Sequence, residues 1–187
     1  TPTISIPDLI TFEIAFKKIN FSSIIFLLSI IQTMSIQDNF RLAMRRYIYS
    51  VSIMSNKDNA DNPNAITVSS VTSISMDPPS LLICINKSSR IHNSIELESK
   101  FCINLLNNKQ KDLSNICSDE DMYDQRFKDE NWNLDGIPFL KNAQANIFCK
   151  VDKLTSYHTH TIVIGLVEDA NYADEISTLT YVDGEYK

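Results

Sequence analysis

The sequence predicts a mainly β domain, a β-barrel with a few flanking helices. Several short segments alternate apolar and polar residues with period two, which is the pattern of half-buried strands. Only two or three segments have helical spacing, and all of them are short. The 187 residues contain three glycines and lack both G-x-G-x-x-G and G-x-x-x-x-G-K-[ST], so glycine-rich nucleotide loops are excluded.

The predicted elements follow one another along most of the chain. The predicted strands are Ile48–Ser55, Ile66–Met76, Leu81–Asn86, Phe101–Leu106, Ala145–Thr155, His158–Glu168 and Thr178–Val182. The predicted helices are Gln37–Tyr47, one that opens at Lys87–Arg90, and one from about Lys109 to Cys117. Ser35 and Asp38 form a capping pair for the first helix. The almost wholly apolar Leu81–Asn86 predicts a strand buried on both faces.

The first thirty-four residues are expected to be an extension outside the functional domain, which then spans residues 35–187. Lys17 and Lys18 precede an apolar stretch, Phe21–Ile31, that is too short to cross a bilayer, which takes about 20 residues. This stretch fits the apolar core of a signal peptide, but no clear cleavage site follows it. A membrane-associating helix and an extra packing helix are the alternatives.

Charge and cysteine content narrow the function classes. The net charge is −6 without a block of Lys or Arg, so binding to nucleic acid is not expected. Four cysteines without a C-x-x-C pair fit neither a disulfide framework nor a zinc knuckle. Three of them lie in apolar runs, which is typical of buried free thiols in a reducing compartment, and we expect a cytoplasmic protein.

The predicted strand Ile66–Met76 carries hydroxyl groups along one face. Thr67, Ser69 and Ser73 share its odd positions, and the even positions are mostly apolar. One interpretation is an edge that faces solvent. The other is a polar ligand that lies along this face.

Two further patterns are candidates for binding sites. Ser88, Ser89 and Arg90 at a helix N-terminus would suit an anion, because free N–H groups and the helix dipole favour negative charge. Ordinary N-capping by a serine is the alternative. His158 and His160 on one side of a strand could begin a metal site, but further ligands are lacking, and a structural or ligand-binding role is the alternative.

Four segments, taken in order, carry a resemblance to a known family. They are FRLAMRRYIYSVSIMS at Phe40–Ser55, ITVSSVTSISMDPPSLLICINKSSR at Ile66–Arg90, HTHTIVIGLV at His158–Val167, and the closing LTYVDGEY. Together they resemble the flavin reductase family, whose fold is the FMN-binding split β-barrel of Greek-key type. The family supplies the small reductase components of two-component flavin monooxygenases such as 4-hydroxyphenylacetate 3-monooxygenase. The resemblance covers about Phe40 to Tyr186.

The resemblance implies a set of site residues. His160 falls on the family histidine near the nicotinamide and flavin, and is the implied catalytic residue. Ser88, Ser89 and Arg90 would hold the flavin phosphate. The full cofactor-binding set that the resemblance implies is Ser50, Ser52, Thr67, Val68, Ser69, Ser70, Ser73, Cys84, Asn86, Ser88, Ser89, Arg90 and His160, with no metal ligand.

The resemblance also implies the activity. It implies an NAD(P)H-dependent reductase that transfers hydride to FMN or FAD and supplies reduced flavin to a partner monooxygenase. It further implies a homodimer. Neither nucleic acid nor a membrane is expected as a partner. A flavin-binding protein without turnover, or a related oxidoreductase with another electron acceptor, is the alternative.

Overall fold

The computed structural model describes residues 34–187; the alternatives for Phe21–Ile31 lie outside the described residues. Two units are described separately, and the first contributes helix α1 (Ile36–Met44). The Ser35 hydroxyl caps α1, accepting from the Asp38 N–H at 3.1 Å. The helix ends at Met44, three residues earlier than predicted. Arg45, the next residue, belongs to the second unit, where its Nε donates to Oδ1 of Asp183 at 3.1 Å.

The second unit, Arg45–Lys187, is built mainly of strands. The strands are β1 (Tyr49–Ser50), β2 (Ser52–Lys57), β3 (Pro63–Val68), β4 (Thr72–Met76), β5 (Pro79–Asn86), β6 (Lys100–Leu105), β7 (Trp132–Asn133), β8 (Phe139–Leu140), β9 (Ala145–Tyr157), β10 (His160–Tyr172), β11 (Thr180–Val182) and β12 (Glu185–Tyr186). Its helices are α2 (Lys111–Ser118) and two 3-10 helices, η1 (Arg90–Ser94) and η2 (Tyr123–Gln125).

Seven of these strands form one antiparallel sheet in the order β3-β2-β6-β9-β10-β5-β4. Strands β3 and β4 follow each other in the chain but lie at opposite edges, joined only by residues 69–71. A flat seven-stranded sheet would be roughly 29 Å wide, whereas three residues reach about 10 Å. The sheet must therefore curl until its two edges approach, which makes a barrel with a split between β3 and β4. The predicted mainly β barrel is confirmed.

The barrel interior holds one apolar cluster and its flank holds another. Met54, Ile83, Phe101 and Val163 belong to the first and are at most 1% exposed. The second cluster includes Val51, Ile53, Leu106, Trp132 and Leu179, with α2 contributing Leu113 and Cys117. Within residues 34–187, no helix is long and apolar enough to span a membrane.

The prediction that β5 is buried on both faces is wrong. Its residues alternate: Leu81, Ile83 and Ile85 are at most 3% exposed, whereas Leu82 and Cys84 are half-buried. The inner face packs into the barrel core, and the outer face is only partly covered within a single chain. The apolar side chains of this run therefore lie in two environments, the barrel core and the half-buried outer face.

Two further expectations are corrected. The run Ile66–Met76 is not one strand, because residues 69–71 carry the chain from one sheet edge to the other, so its hydroxyls form no continuous row. His158 lies outside β10, in the turn of the β9–β10 hairpin, with φ of +44°. It therefore does not share a strand face with His160.

Candidate functional site

A pocket of about 280 Å³ lies at the split of the barrel. One wall is the end of β3 and the link to β4, a second is β5, and His160 at the start of β10 lies opposite Asn86. The structure thereby brings together seven of the predicted site residues, which are Thr67, Val68, Ser69, Ser70, Cys84, Asn86 and His160. Ile66 and Ile85 also line the pocket and were not predicted.

Ser70 closes part of the split through its side chain. The β4–β5 register pairs Thr72 with Leu82, and its continuation sets Ser70 opposite Cys84. There the Ser70 hydroxyl accepts from the Cys84 N–H at 3.0 Å and donates to the Cys84 carbonyl oxygen at 3.3 Å. The hydroxyl thus makes the two hydrogen bonds that the backbone of a paired strand residue would make. It holds the link to β4 against β5 at the wall of the pocket.

The backbone of β3 provides hydrogen-bonding groups beside this pocket. Strand β3 is an edge of the sheet, so alternate N–H and C=O groups are not used by a neighbouring strand. The Thr67 hydroxyl is already engaged, because it donates to the Ser114 carbonyl oxygen at 2.7 Å. Ser69 is exposed. A flat heterocycle with several hydrogen-bonding atoms on one edge, such as an isoalloxazine ring, fits a backbone edge of this kind.

His160 is half-buried and partly restrained. Its Nδ1 lies 2.9 Å from the Thr159 hydroxyl oxygen. His158 instead packs edge-on against Tyr157, with ring centroids 4.6 Å apart, and it does not line this pocket. Among the described residues, no group of three or more His, Cys, Asp or Glu side chains is placed to hold a metal ion.

The turn after β5 is organised by Asn86. Its Oδ1 accepts from the N–H and from the hydroxyl of Ser88, each at 3.0 Å, and its carbonyl oxygen accepts from the Ser89 hydroxyl at 2.7 Å. The helix that follows is the five-residue 3-10 helix η1, and Ser89 makes no side-chain capping bond to it. Ordinary N-capping by Ser89 is therefore wrong.

Arg90 points to a different pocket from His160. Its guanidinium carbon lies 4.3 Å from the centre of the Tyr123 ring, and its Nε is 3.7 Å from Glu120. The pocket that it lines has a volume of about 460 Å³. The role of Arg90 in binding the flavin phosphate stays a prediction.

Ser50, Ser52 and Ser73 do not line the pocket around His160. Ser52 is buried in β2 between Val68 and Leu105, and Ser50 and Ser73 are exposed on β1 and β4. Their cofactor-binding roles stay predictions.

A third pocket, of about 430 Å³, shares Thr67, Val68 and Ser69 with the first. Its other walls include Tyr181 and Tyr186, whose rings meet edge-to-face with centroids 5.1 Å apart. These two tyrosines were not predicted as site residues. The closing motif LTYVDGEY, which contains both, is the sequence signal that marks them.

The four cysteines are free thiols in two different settings. Burial raises the pKa of Cys117 and of Cys149 to about 12, and raises that of Cys102 further still. These three thiols are inert in the folded protein at neutral pH. Cys84 is half-buried and lines the pocket around His160.

Comparison with known proteins agrees with the fold. The model of the flavin reductase-like domain family matches residues 44–187. The chain belongs to this family. It is 33% identical over 151 residues to the reductase component of FADH(2)-dependent resorcinol hydroxylase from Rhizobium sp. (strain MTP-10005), covering 79% of this chain and 84% of that protein.

Two further relatives of this flavin reductase-like chain come from other bacteria. The FMN reductase (NADH) RutF of Pantoea ananatis (strain LMG 20103) is 31% identical over 152 residues, covering 80% of each chain. The flavin reductase of styrene monooxygenase from Pseudomonas putida S12 superimposes with a TM-score of 0.72 at 27% identity, covering 80% of this chain and 96% of that one. The resemblance read from the sequence is confirmed, and so is the split-barrel fold.

Proposed function

We propose that this chain is an NAD(P)H-dependent flavin reductase that reduces FMN or FAD and releases it to a separate monooxygenase. The observation that carries the proposal is the pocket at the barrel split. There His160, the β3 edge around Thr67–Ser70, and Asn86 converge in a chain of the flavin reductase-like family. Relatives named as NADH-dependent FMN reductases and as reductase components of hydroxylases support it.

The residues of this chain contribute binding and orientation. When both nucleotides are bound, hydride passes directly from the nicotinamide to the flavin, so the protein need not supply an acid or a base. The β3 edge holds a planar ring by backbone hydrogen bonds, and Ser70 keeps that edge fixed to β5. His160 borders the same pocket and positions the nicotinamide. Such positioning raises the rate because the two reactants are already held in the geometry of the transfer.

A homodimer is part of the proposal. The outer faces of β5 and β10 present a half-buried apolar pair, Leu82 opposite Ile164. On neighbouring β4, Met76 is 81% exposed. A second copy of the chain would cover this surface. Size-exclusion chromatography with light scattering measures the mass directly, and a monomer at micromolar concentration would contradict the dimer.

A cytoplasmic location is also proposed. It is supported by four free thiols, three of them buried, which a reducing compartment preserves.

The test of the activity is NADH and NADPH oxidation by the purified protein in the absence of oxygen, with FMN, FAD or riboflavin added in turn. We expect many turnovers per chain and a dependence on added flavin. Flavin binding without turnover would support the non-catalytic alternative. Turnover with another acceptor but not with free flavin would support the related-oxidoreductase alternative.

A further inference from the structure

The residue that follows His160 is held from the side opposite the pocket. Successive residues of a strand point to opposite faces, so Thr161 faces inward while His160 borders the pocket. Thr161 is 7% exposed, whereas His160 is half-buried. The Thr161 hydroxyl oxygen lies 2.9 Å from Nε2 of His92, which is part of η1. A hydrogen bond therefore joins η1 to the start of β10, one residue after His160.

Helix η1 is anchored on both sides of His92. Ile91 is 1% exposed and belongs to the apolar cluster in the barrel interior. Ser94 is also buried, and its hydroxyl and carbonyl oxygens accept hydrogen bonds from the Asn56 amide on β2 at 2.9 and 3.1 Å. The backbone that carries the His92 imidazole is thus fixed to the core and to a central strand of the sheet.

The turn before His160 is held separately, by Lys87. Its backbone N–H donates to the Thr159 carbonyl oxygen at 3.0 Å. Its ammonium group donates to the Ser156 hydroxyl and to the His158 carbonyl oxygen, both at 2.7 Å. His160 thus lies between two attachments, these contacts before it and that of the next residue after it. Loss of the later attachment leaves the earlier contacts in place, so the hairpin persists and only the position of the imidazole changes.

We propose that His92 is a positioning residue for hydride transfer and acts through Thr161 on His160. The inference rests on the proposed function, in which His160 positions the nicotinamide. His92 does not line the pocket around His160, so its effect on the transfer is indirect. A displacement of about 1 Å in a positioning group can cost a factor of up to about 100 in rate. A single hydrogen bond that keeps the start of β10 in place therefore affects the transfer.

The experiment removes the contact from either end. Thr161→Val keeps the size of the side chain and removes the hydroxyl, and His92→Leu removes the imidazole. Each should lower the rate constant of flavin reduction at saturating NADH about threefold and leave the Kd of FMN unchanged. Thr161→Ser keeps a hydroxyl and His92→Gln keeps a side-chain N–H, and both should restore most of the rate. The matched control is Thr155→Val, at an exposed threonine on β9.

Two readouts separate positioning from a purely structural role. In the His160→Ala background, Thr161→Val should have no further effect on the rate constant, because its effect passes through that imidazole. The second readout is the NMR ring signals of the three histidines in the flavin-free protein. The signal of His160, identified by its loss in His160→Ala, should shift in Thr161→Val, and that of His158 should not.

The inference is overturned if Thr161→Val keeps the wild-type rate constant, or if it slows the reaction equally with and without His160. Wild-type turnover with free flavin in the same assay would then show that the flavin reductase activity stands. Absence of flavin-dependent NADH oxidation in the wild type would instead contradict the proposed function, and this inference with it.

Discussion

At the scale of single residues, His160 and His158 lie two positions apart and have different surroundings. His160 borders the pocket at the barrel split, and His158 occupies a hairpin turn with positive φ. We expect His160→Ala to lower kcat/KM for NADH about tenfold, because the nicotinamide loses a positioning contact. The flavin Kd should stay near that of the wild type. Stopped-flow kinetics and a fluorescence titration measure the two quantities.

The matched control for that variant is His158→Asn. Asparagine tolerates the φ of +44°, so the turn is preserved while the imidazole is removed. The control should keep wild-type kinetics. A loss of flavin binding in His160→Ala, with NADH kinetics unchanged for bound flavin, would make His160 a structural residue.

Cysteine reactivity is a second property of single residues. Burial raises the pKa of Cys102, Cys117 and Cys149 well above that of a free thiol, so these three carry almost no thiolate at pH 8. Cys84 lines the pocket and is half-buried. Ellman's reagent should modify one thiol per folded chain first, and FMN should slow that reaction. Several thiols that react at equal rates in the folded protein would contradict the buried setting of the other three.

The same raised pKa values predict how stability depends on pH. The folded state holds its thiol protons more tightly than the unfolded state does. The free energy of unfolding should therefore be constant up to about pH 8.5, the ordinary pKa of a cysteine, and should fall as the pH rises further. Urea unfolding between pH 7 and 10 measures this. A free energy that increases over this interval would contradict the prediction.

At the scale of elements, Ser70 joins the β3–β4 link to β5. Ser70→Ala removes both hydrogen bonds to Cys84 and leaves a backbone N–H without that partner. We expect it to lower the free energy of unfolding by about 1–3 kcal/mol and to weaken flavin binding. Ser73→Ala, at an exposed position on β4, is the control for stability and should leave the free energy of unfolding nearly unchanged. Equal stability of the two variants in urea would show that the Ser70 link does not hold the split.

Strand β10 can pass over the barrel core only with glycine at position 165. A Cβ placed there would lie 2.5 Å from Cζ of Phe101, which is fully buried, and 3.0 Å from Cβ of Cys149. Gly165→Ala should therefore destabilise the domain by about 1–3 kcal/mol through overpacking. Thr155→Ala, at an exposed position on β9, should have little effect. Thermal unfolding that ranks the two variants in the opposite order would contradict this packing.

Most elements could be predicted from the sequence because period-two alternation survives in strands with one buried face. The break at residues 69–71 could not, since Ser69, Ser70 and Val71 have the same composition as the strands on either side. Strand β3 ends because the chain has to cross to the opposite edge of the sheet. This requirement comes from the closed barrel and not from the local sequence. The burial of Arg126 was not predicted, because its own charge and the charged residues Asp124 and Lys128 near it are typical of an exposed loop.

The part of the site that lies within short sequence motifs could be predicted. Thr67–Ser70 and His160 were identified through the resemblance to the family, and the fold brings them to one pocket. Tyr181 and Tyr186, which line the third pocket, were not predicted, because they lie far from Thr67 in the chain and only the fold brings them beside it. Ser50, Ser52 and Ser73 do not line that pocket, and their cofactor-binding roles stay predictions.

At the scale of the whole molecule, the topology explains where the site lies. Strands β3 and β4 are the two edges of a sheet that a short link forces together. An edge strand offers backbone groups for hydrogen bonds, and a split between edges offers space for a planar ligand. The barrel therefore needs no glycine-rich loop to bind a nucleotide, which agrees with a chain that contains three glycines.

We expect hydride to move from the nicotinamide to a flavin that this chain holds. The most direct test is an anaerobic single turnover followed by stopped-flow absorbance of NADH and of flavin together. Both signals should decay in one first-order phase with equal stoichiometry, and deuterium at the transferred position of NADH should slow both equally. NADH oxidation that leaves the flavin oxidised, or flavin reduction unaffected by the deuterium in a rate-limiting chemical step, would rule out direct hydride transfer.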